Sequence, residues 1–307
     1  MIDRLIAEIS KKACPVCVGL DTTLERMPPQ LHRGKDSSFA EAAAALLKYN
    51  RLLLDSIADL VPSVKIQCAC YEMYGTAGVE AFAETVRLAR AKGLIVIADA
   101  KRSDIGASAA CYADAFIGRT PLADGVQPVF DADFVTVNPY LGSDGIDPFL
   151  QACRDYDRGI FVLVKTSNPS SRELQDLRLE NGRLVYEQMM EYVAQYGRDL
   201  IGDSGYSEVG AVVGATHPAQ AAALRAEHPA VFLLLPGVGA QGAKVQDLTS
   251  CFDHRGTGAI INVSRSVLQA WQMHPDLDPA EAARRSVETL RTEILEAFAQ
   301  EDIEYAQ

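Results

Sequence analysis

The sequence predicts an α/β chain closed into a (β/α)8 TIM barrel, and three observations carry that expectation. Eight short runs rich in β-branched and aliphatic residues recur along the 307 residues, each followed by a segment of helical periodicity. Charged and polar side chains gather at the C-terminal ends of these runs, where a barrel opens its active-site mouth. An open dinucleotide-binding sheet needs G-x-G-x-x-G between strand and helix. The nearest match, glycines 237, 239 and 242 of "PGVGAQGA", follows the seventh run, where a barrel places a phosphate loop.

Taken in order, Ile2, Leu5, Ile6 and Ile9 fall at helical spacing and predict a helix over 1–12, with Asp3 and Glu8 breaking any signal-peptide core. The predicted strands are "VCVGLD" (16–21), "SVKIQ" (63–67), "LIVIADAK" (94–101), "DFVTVNP" (133–139), "IFVLVKTS" (160–167), "VGAVVGAT" (209–216), "VFLLLPGV" (231–238) and "GAIINVS" (258–264). Helices are expected at 38–60, 76–92, 106–118, 143–154, 184–200, 217–227, 241–250 and 265–272. The longest polar connection, 168–183, is a candidate active-site lid, because long loops in compact folds are mostly functional. A last helix at about 278–299 carries Ala282, Val287, Leu290, Ile294 and Leu295, and is expected, like the first, to pack outside the barrel. No linker rich in Pro, Ser or Gly divides the chain, so one domain over 1–307 is expected.

The formal charge of −12 argues against nucleic acid or an anionic membrane as partner, since both would be repelled at long range. A small anionic substrate requires positive charge concentrated locally. No run approaches the roughly 20 apolar residues of a membrane span, and a cytoplasmic location is expected. The seven cysteines are odd in number and irregularly spaced, as for reduced thiols packed as small hydrophobes. "CPVC" at 14–17 runs into a strand instead of opening a helix, which disfavours a redox role, and "CAC" at 68–70 lacks zinc spacing. No metal or cofactor motif is present.

The chemistry concentrates in "IVIADAKRSDIG", 95–106. Strand alternation puts Asp99 and Lys101 on the face of Ile95 and Ile97, opposite Ala98 and Ala100. Asp104 falls where the chain turns into the next helix, which it could cap. A salt bridge of purely structural purpose would account for this pair alone. It does not account for Asp21, Lys65, Lys165, Thr166, Ser167, Ser264 and Arg265 at the other strand ends.

These residues resemble those of a known family. "IADAKRSDIG" is similar to the D-x-K-x-x-D-I signature of the orotidine 5′-phosphate decarboxylases, and "GLD" (19–21), "VKIQ" (64–67), "PGVGAQG" (236–242) and "NVSRSV" (262–267) match that family's other strand-end motifs in order. With "VNPYLG" at 137–142, the closest likeness is to the family's longer bacterial branch. The resemblance implies a cofactor-independent lyase that converts orotidine 5′-monophosphate to uridine 5′-monophosphate (UMP) and CO2, in pyrimidine biosynthesis. It implies that Asp21 and Lys65 contact the ribose, and that Lys65, Asp99, Lys101 and Asp104 form a charged array. Asp104, with Ile105 and Ser108, would come from the neighbouring subunit of a homodimer; the family usually has Thr in place of Ser108. Ser167 would bond the pyrimidine, and Gln241, Arg265 and the backbone N–H of Ser264 the phosphate.

The residue chemistry agrees: a planar cation beside free backbone amides suits phosphate, and an ammonium held by carboxylates suits a developing carbanion. Lys165 could alternatively serve as a Schiff-base lysine. A Mg2+-dependent 3-keto-L-gulonate 6-phosphate decarboxylase shares the D-x-K-x-x-D strand but resembles an enzyme with a carboxylate where this chain has Lys65. A noncatalytic phosphate-binding barrel would have no reason to array so many charges.

Overall fold

The computed structural model describes residues 1–34, 38–239 and 242–304. Eight parallel strands close into a barrel: β1 (Val16–Leu20), β2 (Ser63–Gln67), β3 (Ile95–Arg102), β4 (Phe134–Val137), β5 (Gly159–Lys165), β6 (Val209–Val213), β7 (Leu233–Pro236) and β8 (Ala259–Val263). Each pairs with the next, and β8 returns to β1 with Val16 opposite Ile261. These are the eight expected strands: β2 keeps its expected bounds, β3 runs one residue further at its C-terminus, β5 starts one residue earlier, and the C-terminal ends of the others and of β5 are trimmed where the chain turns into the rim loops.

Strand alternation separates two cores. Val16, Val18, Val64, Val96, Ala98, Val135 and Val162 face the surrounding helices. Cys17, Ile95, Ile97, Phe134, Phe161, Val212, Phe232, Leu234 and Ile260 fill the barrel. The interior rings interlock, Phe161 lying 5.1 Å from Phe134 and 6.4 Å from Phe232 between centroids. Space for them comes from absent side chains: a Cβ at Gly210 would lie 2.5 Å from the Phe161 ring.

The helix Ile2–Lys12 lies across the N-terminal mouth, where Ile2, Leu5 and Ile9 join the interior cluster. Lys12 secures it by donating to the carbonyls of Ala58 and Val61 at 2.8 and 2.7 Å. One end of the barrel is therefore plugged by apolar side chains, and only the opposite end is open to a ligand. The helix Pro279–Gln300 packs on the outer helix Phe39–Ile57, which starts at a capping box of Ser38 and Glu41.

Three connections differ from expectation. The helix expected at 241–250 is a 3₁₀ turn, Val245–Cys251, because Gly239 and Gly242 at φ +71° and +88° hold the chain out of right-handed helix until then. The helix expected at 265–272 is two single turns, Arg265–Leu268 and Ala270–Met273, and the Leu268 carbonyl that would continue the first is taken by the Tyr49 hydroxyl at 2.7 Å. A small antiparallel hairpin, Thr120–Leu122 with Gly125–Gln127, stands outside the barrel, too short and polar to register as strands by alternation.

Candidate active site

The site is built on an irregularity in β3. Ala98 pairs with Val135 and the next registered pair is Arg102 with Val137, so β3 advances four residues where β4 advances two. The extra residues bulge toward the mouth and aim both Asp99 and Lys101 there. Lys101 adopts φ +47°, a left-handed conformation that costs a side-chain-bearing residue roughly 1–2 kcal/mol. Thr136 bridges the gap in the ladder: its hydroxyl accepts from the Lys101 amide and donates to Asp99 Oδ1, both at 2.9 Å.

Asp99 is buried and shared. Lys101 Nζ donates to Oδ1 at 2.5 Å, while Lys65 Nζ and Gln67 Nε2 donate to Oδ2 at 2.6 and 2.9 Å. Lys65 also lies 3.4 Å from Asp21 Oδ1. Burial alone would raise the Asp99 carboxyl, but Lys65 and Lys101 outweigh it and hold it far below the usual carboxylate range. Burial would likewise lower the Lys65 ammonium, yet Asp21 and Asp99 raise it above an ordinary lysine.

Above this array opens a cavity of about 660 Å3. Its wall includes Asp21, Lys65, Asp99 and Lys101 on one side, Thr166, Ser167, Asn168 and Gln175 on another, and Gly237, Ser264 and Arg265 on the β7–β8 side. The Ser167 backbone is pressed against the chain just past β6, where a Cβ at Gly214 would come within 2.9 Å of its amide nitrogen. The 168–183 segment forms a folded wall here. Gln175 accepts from the Thr166 amide at 3.0 Å and donates to its hydroxyl at 2.8 Å, and Asp176 pairs with Lys165 at 2.5 Å.

Residues 15–285 match the model of the orotidine 5′-phosphate decarboxylase / HUMPS family. The chain belongs to this family. It is 40% identical over 282 residues to the orotidine 5′-phosphate decarboxylase of Caldicellulosiruptor saccharolyticus, covering 90% of this chain and 92% of that one. It is 42% identical over 272 residues to that of Rhodopirellula baltica, covering 87% of each. The structure of Leishmania donovani OMP decarboxylase superposes with a TM-score of 0.71 at 31% identity, covering 95% of this chain and 98% of that one.

Seven sequence-predicted residues line this same cavity: Asp21, Lys65, Asp99, Lys101, Ser167, Ser264 and Arg265. The chain's own Asp104, Ile105 and Ser108 lie outside its wall, and Gln241 lies outside the described residues. Asp104 does not cap the following helix, whose N-cap is Ile105; its Oδ1 accepts instead from the Ile105 amide at 2.8 Å. Lys165 is no Schiff-base candidate. A register shift after Leu163 turns it out of the cavity wall, to sit fully buried over the Tyr186 ring at 5.3 Å and against Asp176. Burial pushes the Cys14 and Cys17 thiols up to about 11 and about 12, away from redox chemistry.

Sequence reasoning missed Arg26, Gln67, Thr136, Asn168, Gln175 and Asn262. Three of these carried a signal. Gln67, Thr136 and Asn262 occupy inward-facing positions of their strands, where a polar residue near the C-terminal end has no apolar neighbour to serve.

Two outcomes follow from the array. Lys101→Ala and Lys101→Gly remove the same ammonium, so chemical denaturation should find the glycine variant more stable by about 1 kcal/mol, the strain at φ > 0 being relieved. Equal stabilities would mean that Lys101 is unstrained. Asp99→Asn leaves two facing cations and should cost about 3–5 kcal/mol near neutral pH. The folded Asp99 pKa is depressed, so its contribution is present above about pH 4 and lost as the pH falls through the folded value. The gap to wild type should accordingly shrink below about pH 4 in thermal unfolding, and a constant gap into strong acid would refute the shared-carboxylate account.

Proposed function

We propose that this chain decarboxylates orotidine 5′-monophosphate to uridine 5′-monophosphate and CO2 in de novo pyrimidine biosynthesis, as a cytoplasmic homodimer. The observation that carries the reading is Asp99 held between Lys65 and Lys101 at the base of a cavity whose far wall holds Ser264 and Arg265. Cavities of about 300–1,000 Å3 suit small organic ligands, and this one is of nucleotide size.

In this mechanism the bond between C6 of the pyrimidine and its carboxylate breaks, CO2 leaves, and the electron pair stays on C6 in the ring plane. There the π system does not delocalise it, so stabilisation must come from a fixed positive charge. Lys101 supplies that charge and then donates a proton to C6, its amine recovering one from solvent. Asp99 holds the ammonium in place, accepting from Lys101 Nζ at 2.5 Å. Ser264 and Arg265 would hold the phosphate, Ser167 the base, and Asp21 and Lys65 the ribose, so that remote binding energy is realised at C6. Lys65 stands where a Mg2+-dependent sister enzyme would need a carboxylate, which favours the decarboxylation of a nucleotide.

The homodimer reading assigns Asp104 to the partner's cavity. It is supported by the half-buried Asp104 outside its own cavity and by its neighbour Ile105, an apolar side chain 54% exposed to solvent. A second subunit would cover them.

Ultraviolet absorbance of orotidine 5′-monophosphate should fall on mixing with the protein, with or without EDTA. Lys101→Ala should lower kcat/KM at least about 10³-fold while remaining folded. A Lys101→Ala protein that keeps most of its activity would remove the lysine from the mechanism. Mixing Lys101→Ala with Asp104→Asn should regain activity, because one site of each mixed dimer then has both wild-type residues. No regain from dimers shown to exchange subunits would place Asp104 in its own chain's site.

A further inference from the structure

We propose that Arg26 is a second cation for the substrate phosphate, acting from the end of β1 beside Ser264 and Arg265, and that it sets the preference for phosphorylated over unphosphorylated nucleosides. The inference rests on the nucleotide reading above and deepens it.

Arg26 ends the short turn Leu24–Arg26 after β1, and its half-buried side chain is part of the cavity wall. Among the described residues its guanidinium makes one hydrogen bond, Nη1 to the Asp21 carbonyl at 2.6 Å, and pairs with no carboxylate. The carboxylates of that wall are already committed: Asp99 to Lys65 and Lys101, and Asp21 to Lys65. Arg26 therefore brings an uncompensated charge into a cleft of a protein whose net charge is −12, and a guanidinium does not shed its proton to escape that cost. A dianionic ligand supplies the missing counter-charge, and the donors not used on Asp21 suit its oxygens.

The backbone brings Arg26 to the right corner. β1 pairs with β8, Val18 opposite Val263, so the chain leaves β1 beside Ser264 and Arg265. Contact there is close, since a Cβ at Gly19 would lie 2.0 Å from Ser264 Oγ. Trp271, on the turns that follow Ser264, donates Nε1 to the Arg26 carbonyl at 3.4 Å and ties the two loops together. The competing role is a tether that only holds the Asp21 loop.

Equilibrium binding of UMP and uridine, with turnover of orotidine 5′-monophosphate and orotidine, separates the two roles. Arg26→Met should weaken UMP about 10- to 100-fold, the worth of a charged hydrogen bond, with uridine affinity within about twofold of wild type. The loss in kcat/KM should be confined in the same way to the phosphorylated substrate, and Arg26→Lys should restore part of it. Equal losses on both members of a pair would make Arg26 a tether, and no loss on either would leave it without a role; each overturns the proposal. A wild-type protein that fails to turn over the nucleotide would instead refute the decarboxylase reading, while the UMP and uridine affinities would still report on Arg26.

Discussion

The mouth of the barrel depends on a single carboxylate being shared. A carboxylate offers about four acceptor sites, and Asp99 fills them with Lys65, Lys101, Gln67 and Thr136. A fully engaged acceptor has little freedom to rotate, so three strands are locked to one another through it: β2 by Lys65 and Gln67, β3 by Lys101, β4 by Thr136. It also has no lone pair left to serve as a base. Its chemical role is confined to fixing the charge and position of the two ammonium groups.

That arrangement holds because of what lies beneath it. Cys17, Ile97, Phe134 and Leu234 form an apolar layer inside the barrel, and the helix Ile2–Lys12 seals the far end. Water reaches the array only from the cavity side, so the pairings act in a medium where Coulomb attraction is several times stronger than in bulk water. The same layer makes loss of any one partner costly, because the charge left behind has no solvent below it. The bulge in β3 is the device that brings opposite charges to this layer from adjacent strands, and the left-handed Lys101 is its strained point.

Much of this was legible in the residues, for a physical reason. Parallel barrel strands are buried on both faces, so they read as short apolar runs, and a charge at the end of such a run has no structural use. That logic recovers Asp21, Lys65, Asp99 and Lys101. It fails where the backbone leaves its regular period. Lys165 lies at the C-terminal end of β5 as Lys101 lies near that of β3, yet a register shift turns one out of the cavity wall and the other toward it, and no periodicity distinguishes them. Arg26, Asn168 and Gln175 sit on loops, whose side-chain directions depend on tertiary contacts such as the grip of Gln175 on Thr166. The 3₁₀ turn Val245–Cys251 was misread because its amphipathic pattern persists although the glycines before it delay the helix.

The rim is divided by the kind of interaction it uses. From β1 to β4 it is an ion-paired lattice with little room to adjust, which suits a reacting centre whose charge must already be in place when the bond breaks. From β5 to β8 it consists of hydroxyls, amides, glycine-rich backbone and the Arg265 guanidinium, on loops that are tied down at a few points, such as Lys165 with Asp176. Such loops can tighten around a ligand without disturbing Asp99, because among the described residues its side-chain hydrogen bonds go only to Lys65, Gln67, Lys101 and Thr136. Binding energy collected on the loop side can therefore be used to exclude water while the charged side stays fixed. A substrate with its reacting carbon at one end and its phosphate at the other is matched to that division.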